Sequence, residues 1–155
     1  MNNQRRNVLK TGSGAALLSV LATAGIIKPG KALADWNKAA FEAKSMADTL
    51  KALGAGAPAD SKDVQVTGPD IAENGAVVPV GVASTLPNVT MVAILIEKNP
   101  NALAASFMLP EGTEPNVSTR VKMGQTSNVY ALVKSDGKFF MATKEIKVTL
   151  GGCGG

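Results

Sequence analysis

The residue with the most chemistry in this chain is Cys153, the single cysteine among 155 residues, set in Leu150-Gly151-Gly152-Cys153-Gly154-Gly155. Glycine has no side chain to pack and loses the most conformational freedom on ordering. Gly151, Gly152, Gly154 and Gly155 around one thiol therefore predict a flexible arm. Extended backbone spans about 3.3–3.6 Å per residue, so the arm carries Cys153 roughly 10 Å beyond Leu150. Small neighbours leave the sulfur unobstructed, able to enter a narrow active site of another protein. The pattern is that of a covalent attachment point: a nucleophile with reach and nothing beside it to activate it.

The rest of the composition removes most enzymatic alternatives. The chain has no histidine, the usual general base for a Ser or Cys nucleophile and the commonest transition-metal ligand. One cysteine makes neither a four-thiolate zinc site, nor a C-x-x-C pair, nor an internal disulfide. No metal, no cofactor and no catalytic residue are expected. Lipoprotein attachment uses an N-terminal cysteine, and haem attachment wants C-x-x-C-H, which is absent. Two other readings of the lone thiol stay open on the residues alone. One is a structural disulfide between two copies; the other is a thiol enzyme such as a sulfur transferase, with Cys153 as its nucleophile.

The formal charge of +4 belongs to the beginning of the chain. Residues 1–34 carry Arg5, Arg6, Lys10, Lys28 and Lys31 and no acid, and the remainder has 11 basic against 12 acidic side chains. That balance offers no footprint for nucleic acid. A polar basic start, an uncharged stretch from Thr11 to Ile27 and the small-residue site Ala32-Leu33-Ala34 predict a signal peptide over 1–34, cleaved after Ala34. The uncharged stretch falls short of the roughly 20 apolar residues of a spanning helix, so no membrane association is expected of the mature protein. Arg5-Arg6-Asn7-Val8-Leu9-Lys10 resembles the twin-arginine export motif, R-R-x-Φ-L-K. That resemblance implies folded export to the periplasm, with a general secretory signal as the alternative.

The elements that must position the thiol follow. Asp35 is a candidate cap for one amphipathic helix over 35–54, with Trp36, Ala39, Ala40, Ala43, Ala47 and Leu50 at helical spacing and Gly54 as its stop. Ala55-Gly56-Ala57-Pro58 reads as a linker. From 61 to 150 short alternating runs are punctuated by turn signals, among them Asn74-Gly75 and Asp136-Gly137, both of the two-residue hairpin type. Seven or eight strands at that spacing predict an all-β, immunoglobulin-like antiparallel β-sandwich with one N-terminal α-helix and a flexible C-terminal tail over 151–155. Aromatic residues are only 4% of the chain, so Val, Ile, Leu, Ala and Met must build the core. Met91–Ile96 and Val129–Val133 are apolar on both faces, whereas a strand in a two-layer sandwich meets the core with one. Their second faces lie either under the N-terminal helix or against another subunit. With two such strands, a partner covering at least one is the expectation.

The C-terminal pentapeptide, after a sandwich with an N-terminal helix and a twin-arginine leader, closely resembles the SoxY family of the periplasmic sulfur-oxidation system. Pro69-Asp70-Ile71-Ala72-Glu73-Asn74-Gly75-Ala76-Val77-Val78-Pro79-Val80, Glu97-Lys98-Asn99-Pro100 and Ser118-Thr119-Arg120-Val121-Lys122-Met123 also look like that family. The resemblance implies a non-enzymatic carrier paired with SoxZ, a small subunit without its own leader. It further implies three visiting enzymes: a haem enzyme that couples thiosulfate to Cys153, a hydrolase that releases sulfate, and a molybdenum-haem sulfane dehydrogenase. Within the leader, Gln4 and Val8 depart from the favoured export pattern. Replacing Arg5 and Arg6 together by lysine is expected to strand the precursor in the cytoplasm; normal periplasmic yield, followed by cell fractionation and immunoblotting, would exclude the twin-arginine route.

Overall fold

The computed structural model describes residues 36–150, in which two short helices precede nine strands. The helices are α1 (Lys38–Glu42) and α2 (Met46–Ala52). The strands are β1 (Ala59–Asp60), β2 (Val64–Thr67), β3 (Ile71–Ala72), β4 (Val78–Ser84), β5 (Val89–Ile96), β6 (Leu103–Met108), β7 (Asn116–Val121), β8 (Ser127–Ser135) and β9 (Lys138–Val148). One sheet runs β1-β9-β8-β5-β6, with β3 added on β9; the other runs β2-β4-β7. The immunoglobulin-like sandwich is present. All long pairings are antiparallel, and the two-residue strands β1 and β3 lie parallel to β9.

The expected single helix is two helices. Ala43 is extended, with ψ 135°, and ends α1 after five residues. Ser45 then starts α2 in its own right: its Oγ accepts from the Asp48 N–H at 3.1 Å and donates to Asp48 Oδ2 at 2.7 Å. A serine that caps a new helix competes with continuation of the old one, which is why helical spacing across it misleads. Asp35 lies outside the described residues, and the cap of α1 is Asn37, whose Oδ1 accepts from the Ala40 N–H at 3.0 Å. The Asn37 Nδ2 also donates to Ala52 O at 2.7 Å, closing the two helices into a hairpin. Of the expected apolar positions, Ala40 and Leu50 face inward, joined by Phe41, Met46 and Leu53, whereas Trp36, Ala39 and Ala47 are exposed. Gly54 does stop the helix: with φ +73° it forms a Schellman turn in which Ala55 N–H bonds Leu50 O and Gly54 N–H bonds Lys51 O.

The two glycine turns behave differently. Asp136 and Gly137 both have positive φ, 48° and 76°, and join β8 to β9 with Ser135 opposite Lys138. This is the twist-matched hairpin turn expected. Neither Asn74 nor Gly75 is among the residues with positive φ, and no hairpin forms there. Ile71 and Ala72 pair with Lys147 and Val148 of β9, while Val78–Ser84 belongs to the other sheet. The turn carries the chain between layers, with Asn74 Oδ1 accepting from Ala76 N–H at 2.9 Å.

Both faces of β5 and β8 are buried within this chain, which corrects the expectation of a subunit over one of them. Val92, Ile94, Ile96, Val129, Ala131 and Val133 meet Val78, Val80, Val82 and Met123 between the sheets. Met91, Ala93, Leu95 and Leu132 meet Ala40, Phe41, Leu50 and Leu53 of the helical layer. The helix pair is the missing cover. Leu95, fully buried on the helical side, reports on that layer: Leu95→Ala is expected to cost about 2–5 kcal/mol, seen as a lowered urea midpoint with an unchanged slope.

Candidate functional site

Cys153, Gly151, Gly152, Gly154 and Gly155 lie outside the described residues, as do Arg5, Arg6, Ala32 and Ala34. What the structure provides is the place from which Cys153 departs. That place is the end of β9, a strand held through Ile146, which is fully buried in the inter-sheet core.

Each step beyond Ile146 is tied down. Lys147 N–H donates to Asp70 O at 3.0 Å, and Val148 N–H donates to Thr126 Oγ1 at 2.9 Å. Thr149 N–H donates to Ala72 O at 3.1 Å and its hydroxyl to Glu73 O at 3.2 Å. Leu150 O accepts from Gly75 N–H at 2.8 Å, and Gly75 O accepts from Met123 N–H at 2.7 Å. The Asn74-Gly75 turn, read from sequence as a hairpin, is thus the clamp on the last residue before the tail. No periodicity signals such a role, because the partner is 75 positions away.

A charged latch supports the clamp. Lys144 Nζ lies 2.9 Å from Asp70 Oδ1 and donates to Gly68 O at 2.8 Å, binding the approach to β3 against β9. The hydrogen bond and charge of Lys144, with a further contribution from Lys147, hold the Asp70 carboxyl below its ordinary value of 3.8 despite a small opposing effect of desolvation. The carboxylate is open to water, so the pair contributes little at high salt.

The surface at this root is apolar. Leu150 is 70% exposed, Ile71 57% and Val77 54%. Glu73 and Lys147 stand exposed near them in the chain, and exposed Lys122 precedes Met123, whose N–H bonds Gly75 O. A groove of about 650 Å³ between Leu86, Val89, Thr90, Glu111 and Pro115 opens at the other end of the sandwich, where β5 begins. Among the described residues no group of three or more His, Cys, Asp or Glu is placed to hold a metal ion.

A family-wide sequence profile described as "Sulfur oxidation protein SoxY" matches residues 50–153. Among solved structures, the chain is similar to the sulfur carrier protein SoxY from Chlorobium limicola f thiosulfatophilum, with 36% identity and a TM-score of 0.62. That likeness covers 73% of this chain and 99% of the other. A second structure, described as the structural basis of T cell specificity and activation by the bacterial superantigen toxic shock syndrome toxin-1, gives 11% identity and a TM-score of 0.39, covering 55% of this chain and 98% of that one. No curated protein matches.

The latch has a defined pH signature. Because the Asp70 carboxyl is lowered in the folded state, its contribution is complete above the ordinary value of 3.8 and is lost as pH falls through the lowered one. Asp70→Asn is expected to flatten the acid limb of the stability profile and to change stability near pH 7 only slightly, because water screens the exposed pair. Urea titrations at pH 7 and below pH 4 check this, and an unchanged acid limb would mean that the latch does not hold in solution.

Proposed function

This chain belongs to the SoxY family, and on that premise we propose that it carries thiosulfate-derived intermediates of sulfur oxidation covalently on Cys153 and presents them to partner enzymes. The observation that supports this most directly is that the likeness to the family runs to residue 153, the only thiol of the chain. A protein that must hold a substrate by one covalent bond needs one nucleophile and no competitor, and this sequence supplies that.

The chemistry follows from what a thiol can do with thiosulfate. Coupling the Cys153 sulfur to the outer sulfur of thiosulfate forms one S–S bond, releases the thiol proton and gives up two electrons, which a haem enzyme accepts. The product is a thiol-linked sulfonate. Water then attacks the terminal sulfonate sulfur on a hydrolase; the bond to that sulfur breaks, sulfate leaves and a persulfide stays on Cys153. A sulfane dehydrogenase then takes six electrons from the persulfide sulfur while three water oxygens add to it and six protons leave, giving an S-sulfonate on Cys153; a second hydrolysis breaks the S–S bond, releases sulfate and returns the thiol. Each step asks of the carrier only that it hold and deliver, so catalytic groups belong to the visitors.

The remaining parts of the proposal concern setting. Arg5 and Arg6 direct export to the periplasm, and a small SoxZ-like subunit accompanies the chain. Support for that subunit is the family likeness alone, since the two-sided strands are already covered by the helices.

Intact-mass measurement after incubation with thiosulfate and the haem enzyme tests the reading. Wild type is expected to gain the thiosulfate-derived mass, and Cys153→Ser is expected to gain none while folding normally, because a terminal tail contributes almost nothing to the core. Gly152→Val and Gly154→Val add branched bulk beside the thiol; they are expected to slow enzymatic loading but not alkylation by a small reagent. A sulfur adduct on Cys153→Ser would sink the carrier reading. Turnover of thiosulfate by the purified protein alone would replace it with a thiol enzyme.

A further inference from the structure

Asparagine followed by glycine is the pair at which a polypeptide most readily modifies itself, and this sequence contains it once, at Asn74-Gly75. The reaction needs the backbone nitrogen of the following residue to attack the carbonyl carbon of the asparagine side chain. Glycine puts no side chain in the way of that attack. The other asparagines of the described residues are followed by Lys38, Val89, Pro100, Ala102, Val117 and Val129. Branched side chains crowd the attacking nitrogen, and proline has no N–H to give up. Asn74 stands alone in this respect.

Half of the reaction is already arranged there. Asn74 is open to water, and its Oδ1 accepts from Ala76 N–H at 2.9 Å. That bond folds the side chain back along the backbone of Gly75. It also aims a donor at the oxygen on which negative charge grows as the carbon is attacked. The nucleophile, by contrast, is withheld. Gly75 is buried; its N–H donates to Leu150 O at 2.8 Å and its carbonyl accepts from Met123 N–H at 2.7 Å. To attack, the nitrogen must shed the proton that bonds Leu150, and a residue held on both sides cannot turn toward Asn74 Cγ. The lock on the reaction is the last residue before the tail.

We propose that Asn74 is a modification site guarded by Leu150, converted to aspartate and isoaspartate when the end of β9 lifts away, and that the product keeps the root of the tail unlatched. The Gly75 nitrogen loses its proton and bonds to Asn74 Cγ, closing a succinimide ring as the side-chain nitrogen leaves as ammonia. Water then opens the ring at either carbonyl, so no oxidant or reductant takes part. In isoaspartate the main chain runs through the side-chain methylene and is longer by that group before Gly75. Both bonds of Gly75, to Leu150 and to Met123, then fall out of register. The rate follows the fraction of molecules open at this one place, which local opening sets without global unfolding. The chemistry is independent of what Cys153 carries.

The test ages the full mature chain in warm neutral buffer and follows Asn74 by peptide mass spectrometry, which reads the amide turning into an acid. Wild type is expected to convert at least about tenfold more slowly than a free peptide spanning residues 69–80. Thr149→Pro removes the N–H that bonds Ala72 O and the hydroxyl that bonds Glu73 O, and is expected to recover most of the peptide rate. Thr149→Val removes the hydroxyl alone and is expected to fall between. Leu95→Ala weakens the core on the helical side without touching the clamp, and is expected to convert as wild type does. A wild-type rate equal to that of the peptide would overturn the guard. So would Thr149 variants no faster than wild type, or an equal rise in Leu95→Ala, which would assign the reaction to global unfolding. Isoaspartyl protein separated from the aged sample is expected to exchange its Met123 amide hydrogen faster than the unmodified chain; unchanged protection would overturn the unlatching.

Discussion

A strand that is apolar on both faces needs two covers, and most of this molecule is arranged to provide them for β5 and β8. Leu95 and Ile94 are adjacent, point in opposite directions and are both fully buried. One sheet of three strands supplies the first cover. The second is a pair of helices of five and seven residues, each far too short to persist alone in water. They stand because Ala40, Phe41, Leu50 and Leu53 are drawn onto Met91, Ala93, Leu95 and Leu132. Side-chain bonds then fix their position: Asn37 spans the two helices, and Asn101 Nδ2 donates to Phe41 O at 2.8 Å, tying α1 to the loop after β5. The sandwich is a three-layer structure whose middle layer is its most apolar.

That middle layer is also what makes the root of the tail a fixed point. β9 pairs with β8 along nearly its whole length, from Lys138 to Ile146, and its inward residue Ile146 sits in the inter-sheet core. Past Ile146 the strand outruns β8, and new partners take over: Asp70, Ala72 and Glu73 on one side, Thr126 on the other, and then Gly75. Lys144 and Asp70 bring those partners to the right edge. A continuous path of hydrogen bonds therefore leads from Ile146 in the inter-sheet core to Leu150, and ties the root of the tail to the sandwich.

The Asn74-Gly75 turn shows how a local signal can be right in type and wrong in consequence. Asparagine and glycine do form a tight turn there, with the asparagine side chain closing on Ala76. Whether a turn joins two neighbours in one sheet depends on the backbone twist it imposes. Asp136-Gly137 adopts two positive φ angles and does so. Asn74-Gly75 does not: Ile71 and Ala72 pair with Lys147 and Val148 at the overhanging end of β9, and the chain then passes to β4 in the other sheet.

The sequence by itself determined what is local: the alternation that makes strands, the Asp136-Gly137 hairpin, the glycine that ends the second helix, the sandwich class, and the family to which the chain belongs. It also named Cys153 by elimination, since a unique thiol needs no structure to be recognised. Tertiary structure decided everything that depends on residues far apart in the chain. Helical spacing ran across Ala43 and Ser45 without showing that Ser45 would cap a second helix. Two-sided strands announced a missing cover without saying whose, and the answer was a helix pair some 40 residues upstream. The exposure of Ile71, Val77 and Leu150 was invisible, because hydrophobicity can be read from a residue type whereas burial is a property of its neighbours. Periodicity records how a segment will fold on itself; only packing records what will lie against it.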